Sequence, residues 1–470
     1  MAVVLGVDIG TTSVKTVLVN YESGAIIASQ SEETKAYTKS GALHTAAAEQ
    51  AVSFIFRAID RAIKRLPRDT VSHVKAIGVC GQMHGCMLWK RNCIDLLLEK
   101  LTTFDRMVDC LTDDNVSHLI TWEDGRCNTE FLRSLPPSQS GRRIAKGYGC
   151  STLFWMQKHQ SDVTKKYDCS ATIQDFLVSI LCKLTVPIMS YHNAHSWGYF
   201  SQAECTWEED ILRDCEFPVH LLPAVVPPGS VAGMTVNRWY GISPGVPVLA
   251  ALGDMQCSVQ AAMETVTDAV LNIGTSAQLS YQLALPIPTR CVETVEYQPF
   301  MMNRSLVVAA SLNGGNVLMK FVSLLQNWVS ELGLECPTVD TIYSRLLEGG
   351  EMLSTLKISP LLYGERHCPS VLGSVANISP HSPSLGETFT ALCDGLIANI
   401  AGMLSNETLR NAGILRVIGT GSALVKNPIL QAAVKRHFDF PLVIRSSSDA
   451  AIGAAQYAIE TLRSSKHSKK

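Results

Sequence analysis

The sequence lacks the features that mark several protein classes. No stretch has the roughly 20 uncharged apolar residues that a membrane-spanning helix needs, and the N-terminal segment lacks the pattern of a secretory signal. The chain has fifteen cysteines, but no two of them are spaced as a CxxC pair. We therefore expect reduced thiols in a cytoplasmic protein, without a disulfide framework or a zinc site.

An excess of one charge sign is also missing. The 40 basic and 42 acidic residues are interspersed and give a formal net charge of -2. This balance argues against a broad cationic face for nucleic acid or for a membrane surface, so any phosphate binding must be local. With 470 residues, of which 46% are hydrophobic, the chain is long enough for two domains, each with its own core. We expect small-molecule partners, and the sequence leaves the oligomeric state open.

The chain begins with a strand, a Gly-Thr-Thr turn and a second strand, Val3–Val7 and Ser13–Val19. This pattern predicts a β-hairpin rather than a strand that runs into a helix. Glycine lets the backbone approach an anion, and consecutive N–H groups and hydroxyls can bind phosphate oxygens. The candidate phosphate contacts are Gly10, Thr11, Thr12 and Lys15. An ordinary hairpin turn is the alternative. Asp8 ends the apolar strand and needs a partner, for which a hydrated Mg²⁺ is suited.

The same pattern returns near the middle of the chain, where Asp268–Ile273 and Ala277–Ser280 flank a Gly-Thr-Ser turn. The repetition predicts two related α/β halves. We expect an N-terminal domain over 1–246, a C-terminal domain over 247–462 and a flexible tail over 463–470. The candidate second phosphate loop consists of Gly274, Thr275 and Ser276.

Asp254 follows the apolar run 246–253 and is expected at the carboxyl end of a strand, where α/β proteins place their reactive groups. A carboxylate there can orient a hydroxyl and take its proton during phosphoryl transfer. Asp254 is therefore the candidate general base. The alternative is an N-cap for the helix that Cys257–Ala262 predicts.

Two polar segments suit the recognition of hydroxyl groups. Residues 81–85 combine an amide, an imidazole and two glycines, and residues 122–126 combine an apolar platform with two acids and a guanidinium. The candidate substrate-side residues are Gln82, Met83, His84, Trp122, Glu123, Asp124 and Arg126. The alternatives are a buried, hydrogen-bonded histidine in the first segment and a helix start with an exposed ion pair in the second.

Near the C-terminus, residues 417–428 predict a strand, a glycine-rich loop and a helix. Small residues let a flat heterocycle approach the backbone, so the nucleotide base and ribose are assigned to Gly419, Gly421 and Ser422. A plain strand-to-helix turn would have the same sequence pattern.

Taken in order, these motifs resemble the FGGY family of carbohydrate kinases from Gly6 to about Ala458. The resemblance rests on the first phosphate loop, Gly-Gln-Met-His-Gly, Asp-Gly-Arg, the Gly-Asp pair, Gly-Thr-Ser and Gly-Thr-Gly-Ser. The double hairpin also resembles the ATPase class that contains actin, sugar kinases and Hsp70. The resemblance implies an α/β protein with two similar domains of the actin-like, ribonuclease H-like fold and an active site in the interdomain cleft.

The resemblance further implies a reaction and roles for named residues. It makes Asp254 the base, associates Asp8 and Asp254 with Mg²⁺, and places Gly314, Gly421 and Asn427 on the ATP side. Residues 116–127, 196–200, 217–223, 311–318 and 364–367 are similar to family members that phosphorylate the terminal hydroxyl of sedoheptulose. That reaction would give sedoheptulose 7-phosphate and ADP and would feed the pentose phosphate pathway.

Two alternatives stay open at this stage. One is another acceptor, such as xylulose, ribulose or glycerol, and the other is a non-catalytic regulator that binds nucleotide. The chain also departs from many family members at Thr152, where they carry a lysine. This departure puts in doubt a lysine contact from that helix and leaves the base and phosphate loops unaffected.

Overall fold

The computed structural model describes residues 1–38, 47–100, 108–140, 144–285, 293–350, 355–368, 370–380, 384–446 and 449–467. The chain divides into two compact units. Unit 1 comprises Met1–Ala261, Pro299–Asn303 and Asp449–Lys470. Unit 2 comprises Ala262–Gln298 and Arg304–Ser448.

The strands of unit 1 are β1 Val3–Ile9, β2 Ser13–Asn20, β3 Ile26–Glu33, β4 Glu49–Gln50, β5 Val74–Gly81, β6 Met87–Trp89, β7 Leu119–Ile120, β8 Cys169–Ala171, β9 Ile188–Ser190, β10 Phe200–Ser201, β11 Thr206–Trp207, β12 Ala224–Val226, β13 Val231–Met234, β14 Pro247–Leu249 and β15 Leu252–Gly253. The strands that follow are β16 Asp268–Ile273, β17 Ala277–Leu283, β18 Val295–Pro299, β19 Ser305–Ser311, β20 Lys357–Ser359, β21 Ser374–Ala376, β22 Arg416–Thr420 and β23 Leu442–Ile444.

The helices up to the start of unit 2 are α1 Val52–Lys64, α2 Arg68–Val71, α3 Cys93–Lys100, α4 Thr129–Ser134, α5 Gly149–His159, α6 Ser161–Lys166, α7 Ile173–Cys182, α8 Tyr191–Trp197, α9 Glu209–Asp214 and α10 Asp254–Ala262. The later helices are α11 Gly315–Glu331, α12 Val339–Glu348, α13 Leu385–Met403, α14 Asn406–Asn411, α15 Ser422–Lys426, α16 Pro428–His437 and α17 Ala450–His467.

The main sheet of unit 1 has the strand order β13-β14-β5-β1-β2-β3, with β15 also paired to β5. The hairpin β1–β2 is antiparallel, whereas β1 and β15 both run parallel to β5. Because parallel strands end at the same edge of a sheet, the carboxyl ends of β1, β5 and β15 lie together. This edge carries the first Gly-Thr turn and Asp254.

Helices cover both faces of this sheet, which is why all seven residues of β1 are buried. The alanine-rich helix α17 lies very close to the strands. A Cβ atom at Gly6 would lie 2.0 Å from the carbonyl oxygen of Ala451, and one at Gly78 would lie 2.3 Å from that of Ala454. Glycine at these two positions therefore permits the close packing, which brings the start of α17 to the edge that carries the first turn.

The main sheet of unit 2 has the order β18-β19-β17-β16-β22-β23. Its centre repeats the arrangement of unit 1, since β16–β17 is an antiparallel hairpin and β22 runs parallel to β16. A separate apolar core of residues from this sheet and from α11, α13 and α16 supports it. The two predicted hairpins and the internal similarity of the two halves are thus present.

The division of the chain differs from the predicted boundary at residue 246. The strand and helix that carry Asp254 belong to unit 1, and unit 2 begins at Ala262. The reason is that β15 pairs with β5 of the first sheet. Helix α17 also returns to unit 1 and runs to His467, so it continues into the segment that was predicted as a tail.

Two expectations about composition concern the described residues only. The fourteen described cysteines are free thiols. Within the same part of the chain, no helix combines the length and apolarity needed to cross a membrane.

Candidate functional site

Asp8 and Asp254 lie at the common edge of the unit 1 sheet. Asp8 is the penultimate residue of β1, opposite Lys15 on β2 and Cys80 on β5. Asp254 is the first residue of α10 and directly follows β15, whose Gly253 pairs with the last residue of β5. The sheet therefore confirms that Asp254 follows a strand end, as the sequence predicted.

Asp8 is a buried carboxylate in an acidic environment. Burial, together with the neighbouring carboxylates of Asp254 and Asp449, raises its pKa to about 8, whereas Lys15 and the thiol of Cys80 oppose the shift. The Cys80 Sγ atom lies 3.8 Å from Oδ1 of Asp8. A positive charge near Asp8 would therefore stabilise the ionised form of this side chain.

Asp254 has a milder environment. Burial raises its pKa to about 6, while hydrogen bonds from backbone N–H groups lower it. The N–H of Met255 donates to Oδ1 at 2.8 Å. A carboxylate with this pKa is ionised at neutral pH and is still basic enough to accept a proton from a hydroxyl during phosphoryl transfer.

Sequence reasoning missed a third carboxylate at this edge, that of Asp449. Its Oδ2 lies 3.3 Å from Nζ of Lys15, and its Oδ1 accepts the N–H of Ala451 at 3.0 Å, which caps α17. The sequence signal was an acidic residue directly before an alanine-rich helical run, which is a common N-cap pattern. Because this capping residue lies 441 positions after Asp8, the sequence alone does not bring the two together.

The described residues contain no group of three or more His, Cys, Asp or Glu side chains placed to hold a metal ion. Carboxylate oxygen is nevertheless a preferred ligand of Mg²⁺, an ion that keeps several of its waters in proteins. A divalent cation would also offset the repulsion that Asp254 and Asp449 exert on Asp8. The residues present therefore fit a hydrated ion near Asp8 better than one enclosed by protein ligands.

The first Gly-Thr turn is tied to the candidate substrate residues. The Thr11 hydroxyl donates to Oε1 of Gln82 at 3.3 Å and accepts the indole N–H of Trp122 at 3.0 Å. The Gly10 N–H donates to the Ser13 carbonyl at 3.0 Å. Thr12 is exposed. The side chain of Thr11 thus faces the candidate substrate residues, and Thr12 is the more exposed threonine of this turn.

Gln50 holds two of these residues together and was not singled out from the sequence. Its Nε2 donates to the Thr11 carbonyl at 2.7 Å, and its Oε1 accepts from Nε2 of Gln82 at 3.1 Å. Gln50 is fully buried in the two-residue strand β4. Its position next to the charged Glu49 gave no periodic signal that could have identified it.

His84 has a rigid and unusual conformation. Its φ is 72°, its N–H donates to Oγ of Ser196 at 3.1 Å, and its Nδ1 lies 2.7 Å from the Ser196 carbonyl oxygen. Its ring stacks on that of Tyr148 with 4.7 Å between centroids. The neighbouring Met83 is buried, and its sulfur would lie 2.7 Å from a Cβ at Gly253. This segment therefore packs against the strand that leads to Asp254.

Asp124 and Arg126 form a buried ionic network rather than an open binding surface. Both oxygens of Asp124 accept from Arg126, with Nε at 2.8 Å and Nη2 at 3.1 Å, and the Ala48 N–H donates to Oδ2 at 2.8 Å. Arg126 also donates to Glu49 at 2.6 Å. The hydrogen bond from His118, helped by Arg126 and opposed by burial, lowers the pKa of Glu49 to about 2.

This network differs from both interpretations of residues 122–126, the hydroxyl-binding surface and the helix start with an exposed ion pair. Asp124 is only 1% exposed and its oxygens are already paired, so the exposed ion pair considered for this segment is a buried one. The neighbouring side chains remain accessible. Trp122 is 48% exposed, and Glu123 accepts a hydrogen bond from the hydroxyl of Tyr37. Asp124 and Arg126 therefore fix the backbone that presents Trp122 and Glu123.

The second Gly-Thr turn, in unit 2, contacts the start of helix α11. The N–H groups of Gly315 and Asn316 donate to the carbonyls of Gly274 and Thr275 at 2.8 and 3.0 Å. A Cβ at Gly314 would lie 2.5 Å from the carbonyl carbon of Ser276. At Gly274, in contrast, a Cβ would meet nothing within 4 Å. The Cβ side of Gly274 is therefore uncovered, while its N–H donates to the Ser276 carbonyl at 3.0 Å and its carbonyl accepts from Gly315.

The loop after β22 lies against the same turn. Gly421 has a φ of 87°, and a Cβ there would lie 2.4 Å from the carbonyl oxygen of Ile273. Ser422 begins α15 directly after it. Gly419 lies deeper, since a Cβ there would meet side chains of the core at 2.8 to 3.1 Å. The structure thus brings Gly274–Ser276, Gly314 and Gly421 together, with Gly419 beneath them.

Asn427 has a different part in the structure. Its Oδ1 accepts the N–H groups of Ile429 and Leu430 at 2.9 and 3.1 Å and so caps α16. The side chain is fully buried, and its Nδ2 lies 3.4 Å from the hydroxyl of Tyr343. These contacts identify Asn427 as a helix cap that stabilises unit 2, and its place on the nucleotide side stays a prediction.

Comparison with known proteins agrees with these observations. The sequence model described as FGGY family of carbohydrate kinases, N-terminal domain, matches residues 3–260. The chain is 42% identical to the sedoheptulokinase of Mus musculus over 466 residues, which is 96% of each chain. It is 42% identical to the sedoheptulokinase of Homo sapiens over 471 residues, again 96% of each chain.

A solved structure supports the fold. The xylulose kinase from Rhodospirillum rubrum matches with a TM-score of 0.79 and 17% identity over 97% of this chain and 89% of that one. This likeness confirms the predicted α/β fold of the actin-like class. The chain belongs to the FGGY family of carbohydrate kinases and is an ATP-dependent carbohydrate kinase.

Proposed function

We propose that this kinase transfers the γ-phosphate of ATP to the terminal primary hydroxyl of sedoheptulose, giving sedoheptulose 7-phosphate and ADP. The observation that carries the choice of sugar is the 42% identity, over 96% of each chain, to two sedoheptulokinases. The similarity extends over both units, so it includes the candidate substrate residues as well as the phosphate loops. The alternative acceptors named above are outcomes of the test given below.

The chemistry is assigned to the acidic edge of unit 1. As the sugar oxygen bonds to the γ-phosphorus, the bond from phosphorus to the β–γ bridging oxygen breaks and ADP leaves. The hydroxyl proton passes to Asp254, whose pKa of about 6 keeps it ionised at neutral pH. Mg²⁺, held through water near Asp8, would neutralise charge on the phosphate oxygens.

The phosphate contacts are assigned to the two Gly-Thr turns. In unit 1 the proposal uses the backbone at Gly10 and the exposed Thr12, with Lys15 as the cation. In unit 2 it uses Gly274–Ser276, where the Cβ side of Gly274 is uncovered. Glycine-rich turns bind phosphate because their N–H groups can converge on an anion. Gly314, Gly419, Gly421 and Ser422 would shape the rest of the nucleotide site.

The sugar is assigned to the segment next to the first turn. Trp122 and Glu123 are the proposed direct contacts, because an indole face and a carboxylate suit a polyhydroxyl chain. Gln82 is 2% exposed and bonded to Thr11 and Gln50, so it supports the sugar side from behind them. His84 and Met83 shape the wall behind them. Asp124 and Arg126 act indirectly through the buried network that fixes this segment.

The proposal is tested by measuring ADP release at matched concentrations of glycerol, xylulose, ribulose and sedoheptulose, with MgATP in excess. The expected result is the highest kcat/KM with sedoheptulose and a 7-phosphate product identified by NMR. A higher kcat/KM with another acceptor would overturn the assigned sugar and leave the kinase family intact. Titration of Mg²⁺ in the same assay, with chelator as the control, should show that release depends on the metal.

A further inference from the structure

Unit 2 contains a buried carboxylate, Glu365, that the reaction described above does not use. It is 1% exposed. Its Oε1 accepts from Oγ of Ser311 at 2.5 Å, from Nδ2 of Asn313 at 2.9 Å and from Nδ2 of Asn399 at 2.8 Å. Its Oε2 accepts the N–H of Leu312 at 3.1 Å. Four donors on one carboxylate satisfy most of its acceptor capacity, which explains how it remains buried.

Three of these four donors come from one short segment, the turn that joins β19 to α11. Two further hydrogen bonds fasten the same turn to the loop that carries Glu365. Nδ2 of Asn313 donates to the Gly364 carbonyl at 2.9 Å, and the N–H of Tyr363 donates to Oδ1 of Asn313 at 3.2 Å. Ser311, Leu312 and Asn313 are therefore held in place by a loop about fifty residues later in the chain.

The clamped turn leads directly into the second Gly-Thr loop. Ser311 pairs with Ala277, the residue after Ser276, in the antiparallel ladder of β17 and β19. Gly314, the residue after Asn313, lies so close to Ser276 that a Cβ would come within 2.5 Å of it. The next N–H, that of Gly315, donates to Gly274 at 2.8 Å. A shift of the turn would therefore move the loop.

We propose that Glu365 is a positioning residue for the nucleotide, which it does not touch. It fixes the turn 311–314, and this turn fixes the shape of the Gly274–Ser276 loop. The inference rests on the proposed function in one respect, the assignment of that loop to the phosphates of ATP. Loss of the carboxylate should weaken nucleotide binding while sugar binding stays unchanged, because the sugar is assigned to residues of unit 1.

The test compares Glu365→Gln with a matched control, Glu208→Gln. Glu208 is a buried carboxylate of unit 1, 5% exposed, that accepts from Oγ of Ser138 at 2.8 Å and from the N–H groups of Gln139 and Ser140 at 2.8 and 3.1 Å. None of its partners is a candidate site residue. Both substitutions keep the size of the side chain and remove its charge, so both should lower the melting temperature.

The decisive readouts are the KM for ATP, the KM for the sugar, and the Kd for ADP measured by calorimetry. For Glu365→Gln we expect the KM for ATP and the Kd for ADP to rise about tenfold, and the KM for the sugar to stay within twofold. Glu208→Gln should leave all three within twofold. Wild-type nucleotide constants in Glu365→Gln, or equal changes in both variants, would overturn the inference.

Asn399→Ala gives a second variant in case Glu365→Gln does not fold. It removes one of the four donors, and we expect the Kd for ADP to rise about threefold. An unchanged Kd would count against the inference. The failure of the proposed function is distinguishable, because it would appear as absent or misdirected sugar phosphorylation by the wild type. The failure of this inference would appear as normal nucleotide constants in an active enzyme.

Discussion

The two Gly-Thr turns lie in nearly the same arrangement of strands, but charged residues flank the first turn and neutral polar residues flank the second. In unit 1 the strand ends with Asp8 and Ile9, directly before Gly10. In the β-ladders, Asp8 lies opposite Lys15 and Cys80. In unit 2 the strand ends with Asn272 and Ile273, directly before Gly274. In the β-ladders, Asn272 lies opposite Gln278 and Thr420. In both units, a parallel strand pairs with the first strand of the hairpin, on the side away from the second strand. The charged positions of the first turn are thus occupied by neutral polar residues in the second.

The pKa values of three aspartates in unit 1 and one in unit 2 differ in a related way. In unit 1, burial raises the pKa of Asp8 to about 8, that of Asp175 to about 7 and that of Asp254 to about 6. In unit 2, burial also acts on Asp268, but Arg416 and Thr265 outweigh it and hold its pKa below the ordinary value. The comparison teaches that one scaffold can present buried carboxylates of raised pKa in one copy and neutral polar residues at the matching turn in the other.

The strongest test of this contrast is Asp254→Asn. The substitution keeps the shape of the side chain and removes the carboxylate that we propose as the acceptor of the hydroxyl proton. We expect kcat to fall by about 10³-fold, within the usual range for loss of a general base. Sugar-dependent ADP release measures the effect, with circular dichroism and thermal unfolding as controls for the fold. Turnover equal to that of the wild type in a folded variant would show that Asp254 is not the base.

A second substitution, Asp8→Asn, makes the first turn resemble the second. We expect kcat to fall about 10²-fold and the Mg²⁺ concentration needed for half-maximal rate to rise, because a charge that would stabilise the hydrated ion is lost. Since burial raises the pKa of Asp8 to about 8, its removal should not destabilise the fold at neutral pH. Full activity with an unchanged Mg²⁺ requirement would remove Asp8 from the proposed site.

The pair of Lys15 and Asp449 gives a smaller effect. Asn is also a good N-cap, so Asp449→Asn should keep the start of α17 and lose the charge that orients Lys15 and raises the pKa of Asp8. A partly exposed ion pair contributes up to about 1 kcal/mol, so we expect the KM for ATP to rise about fivefold. The matched variant is Lys15→Met. The KM of the double variant for ATP should be no higher than that of the single variant with the higher KM. Additive effects would show that the two side chains act independently.

The smallest predicted effect concerns His192, a fully buried residue of unit 1. Burial lowers its pKa to about 3, so between that value and the ordinary 6.5 the unfolded chain binds more protons than the folded one. The contribution of His192 to the free energy of unfolding therefore rises with pH in this range. This contribution decreases as the pH falls below 6.5. From pH 7.5 to 5.5 the loss should be about 1.4 kcal/mol.

Urea denaturation of the wild type and of His192→Gln at these two pH values measures this contribution. The variant should lose less stability on acidification than the wild type, whatever its absolute stability. Equal losses in the two proteins would show that His192 does not sense the pH change.

Much of the fold could be predicted because its signals are local. Apolar runs on both sides of each Gly-Thr turn predicted the two hairpins, and the apolar run before Asp254 predicted its place after a strand. The position of Asp449 could not be predicted in this way. It depends on glycines at positions 6 and 78 that let α17 approach the first sheet from the other end of the chain.

Polar networks were the other limit. The pattern Trp-Glu-Asp-Gly-Arg predicted two acids facing a ligand, but Asp124 is buried and paired with Arg126, whereas Glu123 is accessible. Glu49, which also accepts a hydrogen bond from Arg126 and so belongs to the buried network, comes from the separate strand β4. Asn427 likewise resembled a ligand contact, and only its bonds to Ile429 and Leu430 show that it caps a helix.

The central claim is that Asp254 acts on the proton of the sugar and is not needed to bind either substrate. The most direct test is calorimetric titration of sedoheptulose and of ATP into Asp254→Asn, beside the rate of ADP release. The account predicts Kd values within about threefold of the wild type, together with a turnover about 10³-fold lower. Loss of sugar or ATP binding in parallel with turnover, or retained turnover, would contradict it.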